Sequence, residues 1–288
     1  MATLVQIHGM WGQGPRWKAF GDALEQAGHE VHRLALRHHD VDPADPPPKG
    51  LGATSLLDYA DDLEAEIAKL GEKPILVSHS MGALLAQMLA ARGVARGAIL
   101  LTPAPPSGWP ATLILLMPSV LRIFFWTIVT KALFFRPHRP SLKSASWSFL
   151  NGLDPAAQKE EHAALVHESG RVVFEIAFWY LDPKRASRVR ASDVTCPTLT
   201  VAAGHDRITP AASVRATARR YANSGGTLVE LPDNAHMVHA EANWREVLDL
   251  CLEWISMHAP AKPVRAKTPA KPKTAKRSGR KPAAGRRA

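Results

Sequence analysis

The chain has 288 residues, 46% of them hydrophobic, long enough for one large α/β domain with its own core rather than a small stapled module. Two cysteines, Cys196 and Cys251, exclude a disulfide framework and fit a reducing, cytoplasmic setting, and no charged leader with an apolar core opens the chain to suggest secretion. The formal charge of +10 is lopsided: eleven of the 36 Lys and Arg residues stand after residue 258 with no acid among them, so the first 258 residues are close to neutral.

In chain order, Leu4-Val5-Gln6-Ile7 is a β-rich run that leads into His8-Gly9-Met10-Trp11-Gly12. Helical patterns follow at 14–27 and 55–70. The apolar run Pro74-Ile75-Leu76-Val77 then meets Ser78-His79-Ser80-Met81-Gly82, and strong helix formers continue over 81–92. Strand, tight turn and helix with a hydroxyl at the apex is the arrangement that exposes a nucleophilic serine, with small residues two positions either side. The helix directs its unpaired first amides and positive dipole end at the same spot. A strand at 98–102 is followed by about 90 residues that a central sheet does not need. Further strands are expected at 198–201 and 227–231, with helices at 210–222 and 242–257. Asp206 falls in the loop after the first of these strands and His236 in the loop after the second. Strands alternating with helices predict a mostly parallel sheet, of about six strands, covered on both faces.

Ser80, Asp206 and His236 therefore occur in the order Ser, Asp, His, each in a loop leaving the same edge of the sheet, the chain order expected of one architecture. On these residues the chain resembles the α/β-hydrolase superfamily, specifically its capped single-domain serine hydrolases, over about residues 3–257. The resemblance implies Ser80 as nucleophile, His236 as general base, Asp206 as the carboxylate that orients the imidazole, and the backbone amides of Met10 and Met81 as the oxyanion hole. The elbow departs from the family pattern G-x-S-x-G in having Ser78 first, and Ala83 stands where a further glycine is frequent. Independently of the family, a serine hydroxyl is a weak nucleophile that needs a base in reach and a third group to fix the base's tautomer. His239 stands open as an alternative base, disfavoured because it lies nearer the following helix. His79 and His8 read as packing and bracing residues. The run His38-His39-Asp40 is not expected to hold a metal, since adjacent side chains rarely converge on one ion.

The resemblance divides the chain into a core at 1–103 and 194–258, a helical cap or lid at 104–193, and a tail at 259–288. Residues 111–135 are the most apolar stretch. Pro118, Arg122 and Lys131 oppose a membrane span there, and the segment is read as cap helices over the site, with contact to a lipid interface left open. A second cap helix is expected at about 158–180. Trp11, Phe124, Phe125, Trp126 and Phe178 are the expected substrate-binding side chains, and an apolar roof favours acyl or aromatic groups.

The tail is almost wholly Lys, Arg, Pro, Ala, Thr, Ser and Gly, with nothing to bury, and is expected to be disordered. It resembles the tails of linker-histone-like and nucleoid-associated proteins, which implies weak, salt-sensitive association with polyanions such as nucleic acid; association with anionic lipid, or no specific partner, stays open. The expected activity is hydrolysis of carboxylic esters through an acyl-enzyme on Ser80, with no cofactor. A thioesterase or lactonase, or a C–C hydrolase or perhydrolase using the same three residues, remains open. So does an inactive polyanion-binding protein on the same scaffold. Oligomeric state is left open as well.

Overall fold

The computed structural model describes residues 1–108, 111–112, 114, 117–118, 120 and 135–258. Six strands form one sheet: β1 (Thr3–Ile7), β2 (Glu30–Leu34), β3 (Ile75–His79), β4 (Gly97–Leu101), β5 (Thr198–Ala203) and β6 (Thr227–Leu231). Their spatial order is β2-β1-β3-β4-β5-β6 and every pairing is parallel. Parallel strands need crossovers, and helices supply them. These are α1 (Lys18–Gln26), α2 (Leu56–Ala68), α3 (Met81–Ala91), α4 (Leu142–Ser148), α5 (Pro155–Ala163), α6 (Gly170–Ala177), α7 (Ala211–Arg219) and α8 (Trp244–His258).

The two-residue period of the strands sorts their side chains onto two apolar faces. Val5, Ile7, Leu76, Ala98 and Leu100 join the core that holds α2 and α3. Leu4, Ile75, Val77, Ile99 and Leu101 join the opposite core with α1 and α8. The central strands are buried throughout, as expected of a sheet covered on both sides. Because all six strands run the same way, their C-terminal ends share one edge, and the loops that leave it meet there.

Two sequence expectations need correction. Strand β2 has no apolar signature in the sequence, because Glu30, His32 and Arg33 interrupt it; it is an edge strand with no fully buried residue. The expected helix at 158–180 is two helices. Ser169 caps α6 by accepting from the Val172 amide, and between the helices the chain crosses the body, where the Val166 amide donates to the Trp11 carbonyl at 2.9 Å.

Helices α4, α5 and α6 lie between β4 and β5 and help enclose a third apolar cluster, in which Trp11 meets Phe149, Leu150, Leu165 and Val173. Polar contacts anchor this segment to the body. Glu175 accepts from the Ser55 hydroxyl (2.6 Å) and the Leu56 amide (2.8 Å) at the start of α2. Glu168 accepts from the Tyr59 hydroxyl at 2.8 Å, from the Ser169 amide at 2.7 Å and from His39 at 3.3 Å. The expectations for Phe124, Phe125, Trp126 and the tail fall outside the described residues. Among the described residues no helix is long and apolar enough to cross a membrane.

Candidate active site

Ser80 stands between the last residue of β3 and the first of α3, with φ 53° and ψ −121°. A side chain bearing Cβ avoids that region, and its use at a single residue marks a strained turn. The surroundings make the turn possible. Gly82 abuts β1: a Cβ there would lie 2.3 Å from the His8 carbonyl oxygen and 2.4 Å from that of Ile7. Ser78 fills the first elbow position without clashing because it is fully buried and its hydroxyl donates to the Ile99 carbonyl at 2.7 Å.

His236 Nε2 lies 3.0 Å from Ser80 Oγ, and its Nδ1 lies 2.8 Å from Asp206 Oδ2. A carboxylate only accepts, so with a neutral ring Nδ1 carries the proton and Nε2 offers a lone pair to the serine hydroxyl. Asp206 is itself fixed. Its Oδ1 accepts from the amides of Ile208 and Thr209 at 2.7 and 2.8 Å, and Oδ2 also accepts from the Thr209 hydroxyl at 2.7 Å. The backbone carbonyl of His236 accepts from His79 Nε2 at 2.9 Å and from the Thr102 hydroxyl at 3.0 Å. The loop that carries the imidazole is thus tied to the ends of β3 and β4. Thr102 and Thr209 were not anticipated from sequence; a lone threonine in a loop gives no pattern to detect.

The loop after β1 passes beside Ser80: a Cβ on Gly9 would lie 3.0 Å from Ser80 Cβ. His8 braces this loop. Its Nε2 accepts from the Leu36 amide at 3.2 Å and its Nδ1 donates to the Gly9 carbonyl at 2.9 Å. Burial, assisted by the nearby His39 charge, lowers its pKa to about 3, so the ring stays neutral in this tautomer. Met81 is the first residue of α3, where a backbone amide has no acceptor within the helix. Met10 flanks Ser80 on the opposing loop and lines the same cavities.

His39 does something different from metal ligation. Its Nδ1 donates to the Arg37 carbonyl (3.0 Å) and its Nε2 to Glu168 (3.3 Å). Burial opposes its charge, but the Glu168 carboxylate and the two hydrogen bonds outweigh it and raise the pKa. His239, the alternative base, makes no hydrogen bond to Ser80 or Asp206; it packs on Trp17 and His79 with ring centroids 4.4 and 4.5 Å away.

Two cavities open from Ser80. The larger, about 270 Å³, includes Trp11, Trp17, Phe149, His79, His236 and His239 in its wall. The smaller, about 70 Å³, is lined by Met81, Ala104, Ile114, Val120, Val173 and Ile176 among others. Trp11, one of the expected substrate-binding side chains, stands in the wall of the larger cavity. Phe178 lines neither cavity: it follows the last turn of α6 and packs outward on Phe174 and Tyr180.

A family model described as the alpha/beta hydrolase family matches residues 4–250. The chain belongs to that family. Among solved structures it is similar to a monoacylglycerol lipase from Paleococcus ferrophilus, at 22% identity and a TM-score of 0.66, covering 89% of this chain and 95% of that one. It is similar to an extracellular alpha/beta-hydrolase from a Paenibacillus species, at 16% identity and a TM-score of 0.66, covering 88% and 98%. A pyrethroid hydrolase from Sphingobium faniae JZ-2 is similar at 19% identity and a TM-score of 0.63, covering 90% and 98%. At these identities the likeness concerns the fold. No curated protein matches the chain.

Proposed function

We propose that this member of the family hydrolyses carboxylic esters through an acyl-enzyme on Ser80. The observation that carries the reading is the continuous hydrogen-bonded line from Ser80 Oγ through His236 to Asp206, at 3.0 and 2.8 Å, ending on a strained serine at the mouth of two cavities. His236 Nε2 takes the hydroxyl proton as Oγ bonds to the ester carbonyl carbon, and the carbonyl electron pair moves to oxygen. The amides of Met10 and Met81 receive that oxyanion. Its collapse breaks the ester C–O bond, and the proton on Nε2 leaves with the alcohol. Water then gives a proton to Nε2, attacks the acyl carbon and releases the acid, while Ser80 regains its proton. Asp206 keeps its hydrogen bond from Nδ1 and stabilises the transient imidazolium.

The position of His236 also supports a placement of the two halves of the substrate. The leaving oxygen must reach Nε2, and His236 lines only the larger cavity, so the alcohol half belongs there. The acyl half turns into the smaller cavity, whose aliphatic wall supports an apolar, short acyl group. In this reading residues 104–193 act as a cap over both halves. The names of the similar structures, a lipase and a pyrethroid hydrolase among them, support the same reaction class. The acid-free basic segment 259–288 is assigned a separate role, weak polyanion association.

The test is covalent. A fluorophosphonate probe should label the wild-type protein at Ser80, and Ser80→Ala should abolish labelling and lower aryl-ester turnover by about 10³-fold or more, with His236→Ala close behind. Full turnover in Ser80→Ala would refute the mechanism.

A further inference from the structure

The larger cavity contains two imidazoles with unused hydrogen-bonding capacity. His79 and His239 lie with ring centroids 4.5 Å apart and planes tilted by 59°. Both line the cavity, and both are more than nine-tenths buried, 5% and 8% exposed. Their tautomers follow from their partners. His79 Nε2 faces the His236 carbonyl at 2.9 Å, and a carbonyl only accepts, so Nε2 holds the proton and Nδ1 is left as a lone pair. His79 Nδ1 has no hydrogen-bond partner among the described residues. His239 has none on either nitrogen, and its Nδ1 is sealed from solvent. Sealing an unpaired N–H is rarer than sealing an unpaired acceptor, which puts the proton on Nε2, the edge with access to the cavity. Burial holds both rings neutral, His79 well below the ordinary histidine range and His239 at about 3. The wall thus offers one acceptor and one donor side by side.

An acceptor and a donor on neighbouring rings match a hydroxyl group, which gives one hydrogen bond and takes another. Much of the rest of the wall is aromatic, with Trp11 stacked on Phe149 at 5.1 Å and Trp17 against His239 at 4.4 Å, and aliphatic side chains, Gln13 and Glu161 complete it among the described residues. Unpaired buried polar groups are uncommon in folded proteins and call for a partner. We propose that this cavity recognises a hydroxyl on the alcohol half of the substrate, received between His79 Nδ1 and His239 Nε2. The substrate class becomes esters of an apolar, ring-sized alcohol bearing a second hydroxyl. This rests on the reading of Ser80 as the nucleophile and of the larger cavity as the leaving-group side.

The experiment compares four acetates with leaving groups of similar acidity: 4-hydroxyphenyl, 3-hydroxyphenyl, 4-methylphenyl and 4-methoxyphenyl acetate. Fluorophosphonate titration of each preparation counts intact sites. The better hydroxyphenyl ester should exceed the methylphenyl and methoxyphenyl esters in kcat/KM by about tenfold or more, because a site built around a hydroxyl leaves its own groups unpaired with the analogue that lacks one. In His239→Phe that ratio should fall to within about twofold, and in His239→Gln, which keeps an N–H donor, part of it should return. A wild-type ratio near one, with sites that titrate, overturns the inference and leaves the ester mechanism standing. So does a preference that survives His239→Phe. Should that variant not fold, the wild-type ratio and His239→Gln decide. Protein that neither titrates nor turns over any of the four esters overturns the mechanism and this inference together.

Discussion

At the residue scale the site depends on how closely two backbones approach. Gly82 is the second residue of α3, and its Cα faces the carbonyls of Ile7 and His8 so closely that any Cβ would overlap backbone, which cannot rotate away. Gly82→Ala should therefore cost about 1–3 kcal/mol of stability and push the loop carrying Met10 away from Ser80. The urea midpoint and the rate of fluorophosphonate labelling should fall together. A variant with wild-type values for both would show that the loop has slack. The elbow was legible in sequence because strand, small residues, serine and helix formers occur consecutively, so local chemistry alone marks the turn. The Asp206 and His236 loops were legible because each follows a β-rich run. What was not legible is how each side chain is held. The four hydrogen bonds to the Asp206 carboxylate come from Ile208, Thr209 and His236, and the unpaired edges of His79 and His239 exist only once distant loops have met.

At the scale of elements, a buried ion pair is among the contacts that attach the segment between β4 and β5 to the body. His39 and Glu168 are both fully buried, and they join the loop after β2 to the residue preceding the α6 N-cap. The His39 pKa is raised from 6.5, with the Glu168 charge and hydrogen bonds overcoming burial, and that of Glu168 is lowered from 4.5, with the His39 charge, its hydrogen bond and the Ser169 and Tyr59 donors overcoming burial. The raised histidine contributes stability that is complete below pH 6.5 and lost as pH climbs through its folded value. The lowered carboxylate contributes stability that is complete above pH 4.5 and lost as pH falls through its folded value. The pair is thus at full strength between about pH 4.5 and 6.5. Glu168→Gln should cost about 3 kcal/mol in that window, since it strands a buried cation, and less at pH 9, where His39 can shed its proton. Denaturant unfolding at the two pH values checks this, and a loss that does not shrink on the alkaline side would mean His39 is not charged. Sequence patterning gave no sign of the pair, because its partners stand 129 positions apart. It likewise read 158–180 as one helix, since the apolar spacing continues across Ser169 and Gly170 and only the crossing over Trp11 reveals the break.

At the scale of the whole molecule, charge and chemistry are separated along the chain. The first 258 residues hold 25 of the 36 basic side chains against all 26 acids, and the last 30 hold the other eleven with none. On the body the charges largely pair locally, as in Arg37 with Asp62, Arg92 with Asp61 and Glu64, and Arg215 with Glu230, so little net field is left over the surface. Any long-range attraction for a polyanion must come from the tail, by release of counterions from the phosphates it neutralises, a process steeply weakened by salt. The tail is almost wholly Lys, Arg, Pro, Ala, Thr, Ser and Gly, which gives it no large apolar side chain with which to dock. Truncation after His258 should leave kcat/KM for a small aryl acetate within about twofold of the full chain. It should remove most binding to double-stranded DNA at low salt, while full-length binding weakens by orders of magnitude between about 50 and 200 mM salt. Fluorescence anisotropy of a labelled duplex and a parallel ester assay give both numbers on the same preparations. Turnover lost with the tail would tie those basic residues to the active site, and DNA binding that survived truncation would place the contact on the nearly neutral body.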